Sequence, residues 1–251
     1  CRRNPLKTHV KPVRQAWYEC ACCPPNLARL FLSLPRYLYT MQPDRLNVHL
    51  YAPGDAALTL CGQEVLVEQQ TDYPFDGDVR IRVRCSSPCV GAVALRIPDW
   101  CEEFTLSLNG VEQPAAPLEN GYLVLTRDWQ GETEIRLCLD IRSEWIQANI
   151  RVREDGGKAA LRRGPMIYCV EETDNGPLLS DLAADTGAPI AECENRDVAG
   201  FGPYPALVTS GTRSGSEIRR EQRLYFPLRR RRAPVTLTAV PYCLWGERVP
   251  G

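Results

Sequence analysis

The chain of 251 residues has almost no net charge, very little histidine and no long apolar run, and these shortages narrow its function. Its 30 basic residues are offset by 31 acidic ones, for a net charge of −1. That balance leaves no electrostatic footprint for nucleic acid or an anionic membrane surface. The longest basic run, Arg229 to Arg232, has no aromatic residue interleaved and reads as a solvated loop or strand edge. No apolar stretch approaches the ~18 residues a membrane span requires, and no signal peptide is visible. Internal repeats and low-complexity segments are also missing. The only histidines are His9 and His49. His49 lies in an alternating stretch and reads as a surface or half-buried strand residue. His9 precedes the cysteine cluster described below and could line a pocket.

Cysteine, by contrast, is abundant, with 12 residues. In a short secreted chain that count would suggest a disulfide framework. Here most are singletons inside strand-like runs, such as Cys138 and Cys169, where a free thiol behaves as a small buried hydrophobe. They read as reduced core residues of a cytoplasmic protein. Cys85 and Cys89 flank Ser86-Ser87-Pro88, which reads as a turn that the pair could bridge. The apolar fraction of 44% is ordinary for a globular protein, and the length accommodates one large or two small domains.

Residues 1 to about 25 are loop-like and rich in proline. From Asn26, Leu27, Leu30, Phe31, Leu34 and Leu38 recur at helical spacing. Pro25 suits a first helical turn, and Pro35 should kink or end the helix. Beyond Leu46 the period changes to two. Strands are expected over 46–51, 79–84, 92–97, 104–108, 122–126 and 134–141. A second set is expected over 149–153, 158–161, 166–170, 223–227 and 235–240. Asn109-Gly110 and Asn120-Gly121 are turn signals. Short strands at this spacing suggest β-sandwiches. The stretch from Asp174 to Gly215 reads as a long excursion.

Chemistry concentrates in Cys20-Ala21-Cys22-Cys23-Pro24-Pro25-Asn26. Two adjacent thiols sit at the mouth of a helix, which favours negative charge, and thiolates are both nucleophiles and metal ligands. Two neighbouring cysteines cannot close a four-coordinate zinc site, even if Cys20 adds a third thiol. Three alternatives stay open on the residues alone: a metal-bound nucleophile, buried residues capping a helix, and a redox Cys-x-x-Cys. The last lacks the strand that should precede it. Trp17 and Tyr18 could stack on a sugar or simply pack. Glu171 and Glu172 are paired acids, but neighbours on a strand point to opposite faces.

Several segments carry a resemblance. Asn4-Pro5-Leu6, Arg14-Gln15-Ala16-Trp17-Tyr18 and Cys22-Cys23-Pro24-Pro25-Asn26-Leu27-Ala28-Arg29-Leu30 resemble the C-terminal half of glycoside hydrolase family 127, the zinc-dependent β-L-arabinofuranosidases. Tyr73-Pro74-Phe75-Asp76-Gly77, Leu95-Arg96-Ile97-Pro98-Asp99-Trp100, Arg163-Gly164-Pro165-Met166-Ile167-Tyr168-Cys169 and Val240-Pro241-Tyr242 with Trp245 agree in order. The Cys-Cys-Pro-Pro-Asn and Arg-Gly-Pro-x-x-Tyr-Cys pieces are the specific ones.

The resemblance implies a mainly β chain with a short helical remnant of an (α/α)6 barrel over 1–42. Two jelly-roll-like β-sandwich domains, over 43–144 and 145–251, would follow. It implies Zn2+ as cofactor, Cys22 and Cys23 as metal ligands and Cys22 as nucleophile. The implied substrates are arabinofuranoside-containing oligosaccharides or glycoconjugates, and a homodimer is conceivable. The family's upstream Glu-x-Cys ligand pair and acid/base Glu have no counterpart in these residues. The chain alone is therefore expected to be inactive. Cys1 is placed inside a longer protein, so truncation accounts for it better than lipidation. The competing reading is a non-catalytic β-sandwich module for carbohydrate binding or dimerisation.

Overall fold

The computed structural model describes residues 21–114, 116–197, 203–214, 225 and 232–247, with backbone alone for 194–197 and 203. The readings placed on Cys1, His9, Trp17, Tyr18, Cys20, the basic run before Arg232 and a strand over 223–227 fall outside those residues. The protein is mainly β, with two antiparallel-dominated sheets and a few short helices. It divides into two units between Ile141 and Arg142.

The first unit opens with helices α1 (Cys23–Ser33) and α2 (Pro35–Leu38). Pro35 ends α1 and occupies the first position of α2, where its missing N–H is no loss. Strands β1 (Tyr39–Gln42), β2 (Arg45–Val48), β3 (Gly54–Leu60), β4 (Gln63–Thr71), β5 (Asp78–Arg96), β6 (Phe104–Leu108), β7 (Val111–Glu112) and β8 (Tyr122–Leu139) follow. The sheet order is β1-β2-β5-β8-β6-β7, with the β3–β4 hairpin attached to β5. The two expected strands over 79–84 and 92–97 are one strand of 19 residues, and 122–126 and 134–141 are likewise joined in β8. What reads as a turn at Ser86-Ser87-Pro88 is a bulge. Cys85 faces Gly131 and Cys89 faces Trp129, so three residues of β5 stand opposite one of β8. Proline is tolerated there because a bulged residue owes the ladder no hydrogen bond.

That bulge marks a change of neighbour. On one edge, β5 pairs with β4 from Val79 to Cys85 and then, in parallel, with β2 from Ala92 to Leu95. Alternate residues of both halves feed one core. Val65, Val67, Val79, Ile81 and Val83 share it with Leu46, Val48, Val93, Leu95 and Leu123. The opposite face of the first half carries a ladder of ion pairs. Glu68 meets Arg82 and Arg84, which also pair with Glu134 and Glu132. Asp78 meets Arg136 at 2.8 Å, and the hydrogen bond from that guanidinium holds the Asp78 carboxyl below its usual range. Side by side on exposed strands, such pairs set register more than they add stability.

The Tyr73 to Gly77 motif is structural. Tyr73 stacks on Trp100 and meets Tyr51 edge-on, so two of the recognisable segments pack together. Tyr51 donates to the Arg96 carbonyl at 2.6 Å. Asp76 accepts from the Asp78 N–H, and the Leu139 N–H donates to the Gly77 carbonyl. A Cβ at Gly77 would lie 1.9 Å from the Leu139 carbonyl oxygen. Backbone, unlike a side-chain tip, cannot yield there. Gly77→Ala should therefore cost about 1–3 kcal/mol. At ~2–4 °C per kcal/mol, a thermal midpoint lowered by roughly 2–12 °C is expected by calorimetry.

The second unit holds β9 (Ser143–Ile146), β10 (Ala160–Arg163), β11 (Met166–Val170), β12 (Leu182–Ala184), β13 (Ala191–Asp197), β14 (Pro203–Ser214) and β15 (Arg232–Pro241). Its order is β12-β14-β15-β11-β10-β9, with β13 also on β14. The expected strand over 149–153 is instead a turn leading to a single 3-10 turn at Arg153–Asp155. Among the described residues, the Asp174 to Gly215 excursion contains three strands, of which β14 pairs with β15 over eight positions. Leu161, Tyr168, Leu207, Leu237, Val240 and Leu244 are buried. Arg213, also buried, donates to the carbonyls of Asn175 and Pro177 and ties down the loop after β11. No helix among the described residues is long and apolar enough to cross a membrane.

Candidate active site

Cys22 and Cys23 stand at the first turn of α1, and both thiols are free and exposed. Cys22 is the N-cap residue but has helical dihedrals, φ −75° and ψ −33°, and its side chain makes no capping bond. With Pro24 and Pro25 next in line, two N–H groups of the first turn do not exist to be capped. The side chain of Cys22 is thus left for something else. Its Sγ lies 3.6 Å from that of Cys23.

The backbone beneath the thiols is held from two sides. The Asn26 amide donates to the Cys22 carbonyl at 2.9 Å. Arg29 in turn donates to the Asn26 side-chain oxygen at 2.9 Å. The relay runs up one helix face at i, i+4 and i+7, so the residues downstream of the cysteines brace the residue in front of them. Reading the motif for thiols alone misses Asn26 and Arg29. The available signal was their spacing, four and seven residues after Cys22.

The thiol pair suits one edge of a tetrahedral zinc site. Two sulfurs each about 2.3 Å from a tetrahedral ion stand about 3.8 Å apart, close to the separation observed. Among the described residues, no group of three or more His, Cys, Asp or Glu side chains is placed to hold a metal. The chain thus brings two prospective ligands together, and Cys20 lies outside the described residues.

Other candidates have structural roles. His49 is bonded on both ring nitrogens, to Thr40 at 2.7 Å and Tyr122 at 2.6 Å, and burial lowers its pKa. Glu171 is buried and accepts from the Gly246 N–H, while Glu172 accepts from the Leu178 N–H. The two acids act on separate loops of the second unit and form no carboxylate pair.

The middle domain of glycoside hydrolase family 127, described as a β-L-arabinofuranosidase domain, matches residues 45–141, and the family's C-terminal domain matches residues 143–251. The chain belongs to glycoside hydrolase family 127. Within this family it is similar to the non-reducing end β-L-arabinofuranosidase of Bifidobacterium longum subsp. longum. Identity is 35% over 260 residues, covering 99% of the chain and 38% of that protein. It is also similar to the solved family 127 β-L-arabinofuranosidase of Geobacillus stearothermophilus T6. That match has a TM-score of 0.88 and 38% identity, and covers all of the chain and 39% of that structure. A second solved structure, a family 127 β-arabinofuranosidase, matches at a TM-score of 0.79 and 26% identity over 95% of the chain and 38% of its own length. The chain therefore spans about two-fifths of the length of these relatives.

Proposed function

We propose that this chain supplies the nucleophile loop and two β-sandwich domains of a retaining glycosidase that releases terminal β-L-arabinofuranose. Cys22 is the nucleophile, and Cys22 with Cys23 contributes two ligands to a zinc ion. The observation that carries the reading is the exposed thiol pair, 3.6 Å apart at the start of α1. Its membership of family 127 and the activity printed for its relatives support the substrate.

Zinc, when bound, would keep sulfur ionised at neutral pH. The Cys22 sulfur attacks the anomeric carbon while the bond to the leaving oxygen breaks, and a carboxylic acid from outside these residues protonates that oxygen. Water, giving its proton to the same carboxylate, then attacks the anomeric carbon, and the Cys22 thiolate departs. Two displacements retain the configuration. Asn26 and Arg29 act beneath this chemistry by fixing the carbonyl of the attacking residue.

The finer fold reading belongs here too. Leu27, Leu30, Phe31 and Leu32 of α1 are all more than half exposed, which supports residues 1–42 as the end of an (α/α)6 barrel covered by its other helices. The shared core of both β5 halves supports a sandwich over 43–144, and the second sheet supports another over 145–251.

The test is hydrolysis of p-nitrophenyl β-L-arabinofuranoside by the full-length enzyme, with bound zinc measured in parallel. Turnover with about one zinc per chain is expected, along with retained configuration by NMR. Hydrolysis that persists after zinc is stripped, or inversion of configuration, would overturn the reading. Asn26→Ala in that enzyme should lower kcat about 10- to 100-fold with little change in KM, because positioning is lost while substrate contacts remain. Steady-state kinetics reads this directly.

A further inference from the structure

Three of the free cysteines gather at the β5 bulge, in the first unit and apart from the Cys22–Cys23 pair in sequence. Cys85 and Cys89 bracket Ser86-Ser87-Pro88 and both face the core, where they are 7% and 6% exposed. The bulge residues themselves are exposed. Their partners on β8, Gly131 and Trp129, stand two positions apart, about 6.6 Å along that strand. A disulfide spans Cα separations up to about 6.8 Å.

Cys61 completes the group from the β3–β4 turn. It takes a left-handed conformation, φ +51°, and its thiol donates to the Val90 carbonyl at 2.8 Å. It is packed so tightly against β5 that a Cβ on Gly91 would stand 2.8 Å from its sulfur. The Cys61 sulfur thus sits against the backbone of Val90 and Gly91, directly after Cys89 on β5, and Cys89 raises the pKa of both the Cys61 and the Cys85 thiols. Cys61 is half-buried, whereas the other two are buried. The arrangement is graded from one accessible sulfur to two buried ones.

We propose that Cys61, Cys89 and Cys85 form a thiol relay that accepts oxidising equivalents from a small-molecule disulfide and stores them as a Cys85–Cys89 bond closing the β5 bulge. The Cys61 thiolate attacks one sulfur of the small disulfide, forming a mixed disulfide and releasing the first small thiol. The Cys89 thiolate attacks the Cys61 sulfur and releases the second small thiol. The Cys85 thiolate then attacks Cys89, and Cys61 returns to the thiol. In total two protein thiols are oxidised, one small disulfide is reduced to two thiols, and the two cysteine protons go to those products.

Burial and the neighbouring Cys89 push the Cys85 thiol up to about 11, and burial also raises Cys61. Both are protonated at neutral pH, so exchange proceeds through the small ionised fraction. The bulge gives the bond room to close. Two residues beyond the ladder's need can shift without breaking a pairing with β4 or β2, which end and begin on either side of it.

The experiment incubates the full chain with excess oxidised glutathione and maps disulfides in non-reduced peptides by mass spectrometry. The peptide carrying Cys85 and Cys89 should lose two hydrogens and hold no glutathione. Cys61→Ser should slow that loss at least tenfold, and Cys85→Ala should trap a Cys61–Cys89 link instead. If Cys85 and Cys89 both remain alkylatable after the exposed Cys22 and Cys23 have been fully modified, the storage bond does not form and the proposal fails. An unchanged rate in Cys61→Ser would remove the relay. The wild-type map decides the first point even if a variant folds poorly.

Discussion

Cys22→Ser in the full-length enzyme is expected to lower kcat for a p-nitrophenyl β-L-arabinofuranoside by at least about 10^4-fold, the range seen when a nucleophile is removed. A serine hydroxyl keeps the size but loses the soft, easily ionised sulfur. The bound zinc should fall as well, because one of two adjacent ligands is gone. Cys23→Ser separates the two roles. It should also lose metal, since it removes a ligand, yet it leaves the attacking atom in place. Excess zinc should therefore restore part of the activity of Cys23→Ser and none of Cys22→Ser. Both thiols are exposed, so neither change removes core packing, and the melting of the sheets should shift little. A Cys22→Ser enzyme with full turnover would sink the mechanism and leave the pair as the opening of a helix.

How far the sequence alone carries depends on how local each signal is. The α1 stripe, the stop at Pro35 and the period-two strands are set by neighbours within a few residues, and each was legible. The join across Ser86-Ser87-Pro88 was not. Serine and proline clusters carry turn chemistry wherever they stand, and only the long pairing with β8 turns this one into a bulge. The β3–β4 hairpin was also missed. Val65 and Val67 alternate as they should, but Gln69 continues the inward face at 1% exposure, where a polar side chain breaks the pattern. It is admitted because its amide donates to the Tyr39 hydroxyl at 2.6 Å. β14 escaped for a similar reason: glycine, proline and alanine depress its strand signal, and its eight-position pairing with β15 supplies what local preference does not. At the site, the thiols announced themselves by chemical type. Asn26 and Arg29 did not, since each has an ordinary place on a helix surface until their side chains are seen to bond in series to the Cys22 carbonyl.

The largest stability effect is expected from Trp129→Ala. Trp129 is fully buried on β8 opposite Cys89, directly where β5 bulges and exchanges β4 for β2. Its indole N–H donates to the Gly91 carbonyl at 3.0 Å, so it fills the corner and also satisfies a backbone acceptor there. Removing a side chain of that size from a core costs about 3–5 kcal/mol. Set against a typical total of about 5–15 kcal/mol, that is a large share. The calorimetric midpoint should fall by roughly 6–20 °C at ~2–4 °C per kcal/mol. Two further variants apportion the loss. Trp129→Phe keeps much of the ring but removes the indole bond to the Gly91 carbonyl, which should cost about 0.5–1.5 kcal/mol. Arg127→Ala removes only the guanidinium that sits 5.5 Å above the indole, worth about 0.5–1 kcal/mol at an exposed site. If Trp129→Ala melts no earlier than Arg127→Ala, the corner is held by strand pairing alone. Register between β5 and β8 would then be fixed by their many other pairs, and neither the volume of the buried indole nor its bond to Gly91 would contribute to holding the bulge.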